Sequence, residues 1–212
     1  MEKIKKEIKL NHKNLAKRSS FMFIIIAISF IYDALNKITG NETEMITVVD
    51  KYIPFCKYFI VPYVLWYPYI GVFLILLCFL DKENYYKALI ALITGMLISY
   101  FIFYIFPTAV VRPNITGSDV FTNLVLFVYN NDNPCNCFPS VHVLNSTLML
   151  LYINKSSSFN RITKLISSII AILIILSTVF VKQHVILDVA GGISLALLLY
   201  FLLNLFKLKI SE

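Results

Sequence analysis

The chain has 212 residues, of which 58% are hydrophobic and only 15% charged, with a net charge of +7 and a mean hydropathy of +0.76. That balance excludes an ordinary soluble domain, and four cysteines are too few for a disulfide framework. Repeated apolar runs of about 20 residues match the thickness of a bilayer's hydrocarbon core, so the chain reads as an all-α, polytopic membrane bundle.

In chain order, residues 1–18 form a basic N-terminal segment with Ile4, Ile8 and Leu15 set among lysines. It reads as either a short interfacial helix or a solvated tail, and no catalytic role falls to it. Residues 19–212 form one membrane domain with six predicted spans: Ser20 to Leu35, Pro62 to Leu80, Tyr86 to Phe106, Pro139 to Asn154, Leu165 to Val181 and Val185 to Phe206. The first and fourth are short for a full crossing. The lysine-rich start ahead of Phe21 to Ile31 has the outline of a secretory signal. Ile31-Tyr32-Asp33-Ala34-Leu35 offers no small-residue cleavage site, however, so the first helix is expected to be retained. Runs of Phe, Leu and Ile without period-2 alternation exclude the pattern of a β-barrel.

Placing both termini in the cytoplasm puts Lys3, Lys5, Lys6, Lys9, Lys13, Lys17, Arg18, Lys82, Lys87, Lys155, Arg161, Lys164, Lys207 and Lys209 inside, 14 of the 19 basic residues. Lys37, Lys51, Lys57, Arg112 and Lys182 are left outside, as the positive-inside rule requires. The net charge is therefore a topology signal beside anionic lipid, and it argues against a nucleic-acid partner. Cys78 lies within a span, whereas Cys56, Cys135 and Cys137 fall outside, either as free thiols or with Cys56 bridged to the Cys135-Asn136-Cys137 segment. That Cys-x-Cys lacks the second ligand pair of a zinc site, and no metal or other cofactor is expected.

Ionisable groups close to hydrocarbon are costly, so their positions carry information. Three clusters share the outer face: Phe106-Pro107-Thr108-Ala109-Val110-Val111-Arg112-Pro113, Cys137-Phe138-Pro139-Ser140-Val141-His142, and the run from Ser177 through Lys182-Gln183-His184 to Asp188. His184 and Asp188 are four apart, on one helical face, where the carboxylate either fixes the imidazole tautomer or makes a surface ion pair. Pro139 suits the first turn of a helix, leaving the amides of Ser140 and Val141 at its positive end to receive an anion. His142, in the same turn, is either a proton donor to a leaving oxygen or an interfacial histidine beside a cap. Arg112 and Lys182 either bind a phosphoryl group or snorkel as helix anchors.

These clusters, in this order, resemble the signature of the type 2 phosphatidic acid phosphatase superfamily, which shares a helical core with vanadium-dependent haloperoxidases. Pro139-Ser140-Val141-His142 fits the family's Pro-Ser-x-His element, and Ser177, His184 and Asp188 fit its Ser-Arg-x5-His-x3-Asp spacing. The resemblance implies a catalytic core at 100–206, His184 as the nucleophile that forms a phosphohistidine, Asp188 as its orienting partner and His142 as the acid for the departing alcohol. Arg112, Ser140 and Val141 would bind phosphoryl oxygens, without a metal. Two positions depart from the family: Ile105 stands where it usually has Lys, and Thr178 where it has Arg. Lys182 is the proposed substitute for one missing charge. Phe-Pro-Thr ahead of Arg-Pro, and Lys-Gln-His-x3-Asp at the end, look like the branch that includes inositolphosphotransferases and sphingomyelin synthases.

The activity so implied is hydrolysis of a lipid-linked phosphate monoester or diphosphate at the extracytoplasmic face of a membrane, expected to be a bacterial plasma membrane. The same histidine chemistry serves a head-group phosphotransferase when an alcohol such as diacylglycerol or ceramide replaces water, and the fold also permits a non-catalytic scaffold or transporter. Val120 to Tyr129, apolar but too short to span, is expected to lie in the interface and to border the approach of a lipid tail together with Tyr63 to Tyr69.

Overall fold

In the computed structural model, residues 12–37 and 40–205 are described. Of the basic segment 1–18, residues 1–11 lie outside them. The long helices are α1 (His12–Ser20) and α2 (Phe23–Leu35), α5 (Trp66–Leu80), α6 (Lys82–Ile105), α8 (Val141–Lys155), α9 (Arg161–Phe180) and α10 (Ile186–Leu205). Between them lie the short α3 (Val48–Tyr52), a 3₁₀ turn (Lys57–Phe59) leading into α4 (Ile60–Val64), and α7 (Val120–Asn131). Two-residue strands, β1 (Thr43–Glu44) and β2 (Thr108–Ala109), pair in parallel, with Ala109 bridging to Cys135.

Among the described residues, five helical stretches are long and apolar enough to cross a membrane: Leu15–Leu35, Lys57–Leu80, Lys82–Ile105, Arg161–Phe180 and Ile186–Leu205. Predicted span four does not join them. It is the 15-residue α8, about 22 Å long at 1.5 Å per residue, against roughly 30 Å of hydrocarbon. Its shortness follows from its place at the centre of the bundle, packed against α5, α6, α9 and α10. Protein rather than lipid surrounds Val143, Leu144, Leu148, Met149, Tyr152 and Ile153, all fully buried. Outward-facing Phe23, Phe30, Ile162, Leu165, Phe201 and Leu205 instead present the apolar surface that lipid solvates.

The helix ends have local causes. Asp81 begins α6 by accepting from the Asn84 amide, and Asn160 begins α9 by accepting from Thr163. At the other end of α9 the chain turns through a Schellman motif: the Gln183 amide donates to the Thr178 carbonyl at 3.0 Å and the Lys182 amide to Val179 at 3.3 Å. Lys182 takes the left-handed position, with φ of 53°.

The approach of α10 to the start of α8 depends on glycine. A β-carbon on Gly192 would stand 2.7 Å from the Ser140 carbonyl and 3.2 Å from the Leu144 amide; one on Gly191 would stand 2.5 Å from the Phe138 ring. Since backbone atoms cannot swing aside, Gly192→Ala is expected to destabilise the fold by about 1–3 kcal/mol. Thermal melting of the detergent-solubilised variant against wild type tests this; an unchanged melting temperature would show that the two helices are not held in contact there.

Candidate active site

The three polar clusters meet at the start of α8, each tied to another by hydrogen bonds. Thr108 Oγ accepts from the amides of Cys137 (3.0 Å) and Phe138 (2.9 Å), while its carbonyl accepts from Asn136 at 2.7 Å. The Ser140 amide donates to the Asp188 carbonyl at 3.1 Å. Arg112 Nη2 donates to Gln183 Oε1.

His184 Nδ1 lies 3.3 Å from Asp188 Oδ2, with Asp188 fully buried and His184 9% exposed. The Val185 amide donates to the same carboxylate oxygen at 2.9 Å, which fixes the carboxylate's rotamer. With Nδ1 facing Asp188, Nε2 is the ring nitrogen left for chemistry. His142 stands opposite, the two ring centroids 5.9 Å apart. It is held between Tyr63, stacked at 4.7 Å, and Trp66, at 4.3 Å, and its Nε2 has no hydrogen-bond partner among the described residues. Both histidines line a cavity of about 750 Å³ walled by α2, α5, α6 and α7. Tyr63, Trp66 and Tyr67 border it on one side and Leu124, Phe127 and Val128 on another, so the two segments expected beside a lipid tail face the same space.

The remaining anticipated residues are placed as follows. Ser140 caps α8, its Oγ accepting from the Val143 amide at 3.3 Å, so this hydroxyl and the Ser140 amide are both engaged within the protein. Val141 is the first residue of α8 and lines the cavity. Arg112 Nη1 donates to the carbonyls of Tyr129 (3.1 Å) and Asp132 (2.8 Å), and the guanidinium lies 4.4 Å over the Tyr129 ring. Its charge thus reaches the site through Gln183. Lys182 points elsewhere, its ammonium donating to the carbonyls of Ile53 (2.5 Å) and Asp50 (3.3 Å). With Arg112 and His184 it lines a second cavity of about 450 Å³. Where the family's Arg is replaced, Thr178 is buried and supplies the carbonyl that accepts from both the Gln183 and the His184 amide, each at 3.0 Å.

The sequence reading gave no role to Asn136 or Gln183, and it set Tyr63 and Trp66 beside a lipid tail without their packing on His142. Asn136 and Gln183 were visible only as neighbours of more recognisable residues. Asn136 occupies the left-handed region at φ 58°, where Asn is tolerated best after Gly.

Among the described residues, one group brings potential metal ligands together: Cys137, His184 and Asp188, their donor atoms within 4.8 Å of one another. Burial, together with the neighbouring Asp188 and Asp132 carboxylates, pushes the Cys137 thiol well above its usual range. A thiol held protonated is a weak metal ligand. The four cysteines are free, and burial likewise raises Cys135 to about 11.

The apolar helices fit an integral membrane protein, and its two described histidines, His142 and His184, share one cavity. The PAP2 superfamily matches residues 41–202, and the chain belongs to it. It is 33% identical over 83 residues to phosphatidylglycerophosphatase B of Bacillus subtilis (strain 168), an alignment that covers 35% of this chain and 41% of that protein. The chain therefore matches about two-fifths of that relative's length. No solved structure matches it.

The thiol environment sets a chemical expectation. At pH 8 a thiol with pKa of about 11 is about one part in a thousand thiolate, so maleimide should label half-buried Cys56 first and spare Cys135 and Cys137 until the protein is denatured. Mass spectrometry of labelled peptides reads this, and rapid native labelling of Cys137 would contradict the buried-thiol environment.

Proposed function

We propose that the protein is a lipid phosphatase that hydrolyses a lipid-linked phosphate monoester or diphosphate through a phosphohistidine at His184. The observation that carries this reading is the His184–Asp188 pair facing His142 across a shared cavity, within a chain of the PAP2 superfamily. The name of the Bacillus relative, a phosphatidylglycerophosphatase, supports the phosphatase class.

In the first step the Nε2 lone pair of His184 forms a bond to phosphorus while the phosphorus–oxygen bond to the lipid alcohol breaks. His142, protonated when the phosphate's negative charge enters the cavity and favours its cationic form, gives that proton to the departing oxygen and becomes neutral. Asp188 stabilises the imidazolium character that develops on His184, as an oriented carboxylate does for any nucleophilic histidine. In the second step neutral His142 takes a proton from water, the oxygen attacks phosphorus, the nitrogen–phosphorus bond breaks and phosphate leaves. Arg112, acting through Gln183, and the positive end of α8 at Ser140 and Val141 stabilise the phosphoryl charge. Lys182, lining the second cavity with Arg112, contributes longer-range positive potential. No step needs a metal, and the Lys/Arg distribution supports an extracytoplasmic site with both termini inside.

His184→Ala is expected to abolish phosphate release from lipid phosphates by purified protein in detergent, and His142→Ala to slow it about 10²–10⁴-fold. EDTA should leave the wild-type rate unchanged. Release that survives His184→Ala would sink the reading, as would a requirement for divalent metal. If the phosphoryl head group instead moves to added diacylglycerol or ceramide without free phosphate, the enzyme is a transferase of the sphingomyelin synthase-like branch.

Phe127, 66% exposed and on the cavity wall, is placed to meet an acyl chain. Phe127→Asp should therefore lower kcat/KM for long-chain substrates while sparing a short-chain, water-soluble one. Equal effects on both would remove α7 from lipid recognition.

A further inference from the structure

The phosphate-binding charges missing at Ile105 and Thr178 leave a question of charge and donors. Lys182 does not answer it directly, since its ammonium is bound to the Asp50 and Ile53 carbonyls. The cavity shared by His142 and His184 contains another set of donors. Gln183, 3% exposed, and Asn136, 5% exposed, each carry a side-chain amide nitrogen with no hydrogen-bond partner among the described residues. Both line that cavity. Leaving a buried amide donor unpaired is costly, so two such donors lining one cavity call for a partner that enters it.

The orientation of Gln183 is fixed by chemistry. Arg112 has only donors, so the Gln183 atom it meets is the carbonyl oxygen, and the NH₂ group must face the other way. Asn136 is held by its own backbone, its amide bonded to the Thr108 carbonyl at 2.7 Å and its φ in the left-handed region. The Gln183 carboxamide is thereby oriented by Arg112 and Asn136 is fixed at its backbone, and both residues line the space bordered by His184 and His142.

We propose that Gln183 and Asn136 are phosphoryl-oxygen ligands, neutral donors that occupy the functional place of the absent family cations. The inference rests on the phosphatase reading and adds to it the groups that hold the substrate. Arg112 acts in it as a positioning residue, polarising Gln183 rather than touching phosphate itself. A carboxamide cannot neutralise charge, but donors fixed in a water-poor site act strongly on oxygens where negative charge accumulates.

The test uses isosteric changes that swap donor for acceptor. Gln183→Glu keeps or strengthens the contact with Arg112 while turning the free NH₂ into a carboxylate oxygen; Asn136→Asp does the same at a backbone position Asp accepts. Affinity for orthovanadate, an inorganic phosphate mimic, is to be measured by calorimetry on full-length protein in detergent, beside kcat, KM and the melting temperature. Each variant should weaken vanadate about tenfold or more and lower kcat/KM at least as much, with melting unchanged. If Asn136→Asp melts early, Asn136→Gly, free to adopt the positive φ, takes its place. Wild-type vanadate affinity and turnover in Gln183→Glu would overturn the proposal, because it would show that Gln183 serves only to anchor Arg112. His184→Ala separates the two ideas: release that depends on His184 but ignores both amide variants refutes this inference alone, whereas release independent of His184 refutes the phosphatase reading beneath it.

Discussion

The site depends on how closely α10 approaches the start of α8. Gly192 lets the two backbones come within van der Waals contact, and the Ser140 amide then reaches the Asp188 carbonyl. Because Asp188 also orients His184, the residue that caps the central helix and the residue that orients the imidazole are joined through a single peptide group. His142 follows Ser140 by two residues, so its distance from His184 is set by the same contact. A helix packed one methyl group farther away would carry the same side chains without the same geometry.

Around this contact the polar groups are unevenly satisfied. The outer loops have an extensive network: the Tyr32 hydroxyl donates to Asp132 at 2.6 Å, Asn36 and Asn133 exchange hydrogen bonds, and Thr108 gathers three amides. Burial raises the Asp132 carboxyl, while the Tyr32 bond and the nearby Arg112 act against that rise. Such a network holds the loops rigid. Among the buried polar groups left without a partner, those of Trp66, His142, Asn136 and Gln183 border the larger cavity that His184 also lines. The contrast separates groups that tie the loops together from groups left unpaired at the cavity.

Much of this was legible in the sequence, for physical reasons. Hydrophobic length marks a lipid-facing helix, which is why five of the six spans correspond to helices of crossing length. The fourth reads poorly because a helix surrounded by protein needs neither full length nor uniform apolarity, and α8 buries Asn145, Ser146 and Thr147 among its aliphatic residues. His184 and Asp188 were readable as a pair four residues apart, although the shared helical face was not borne out: α10 begins only at Ile186, and His184 reaches Asp188 from the turn ahead of it. The donors Asn136 and Gln183, and the rings of Tyr63 and Trp66 around His142, were not readable, since their roles come from contacts between segments far apart in the chain. Lys182 shows the same limit: its charge is evident from the sequence, but the left-handed turn that directs its ammonium toward residues 50–53 is a feature of the Schellman motif.

Arg112 has one more consequence. It grips the carbonyls of Tyr129 and Asp132 at the end of α7, lies on the Tyr129 ring, and holds Gln183 next to His184. The Tyr129 hydroxyl adds a second strut, donating to the Val181 carbonyl at 2.6 Å. The wall of the cavity and the turn that carries His184 are thereby braced as one mechanical unit. Any displacement of α7 would therefore be passed to the residue beside His184, so the cavity wall and the His184 turn cannot shift independently.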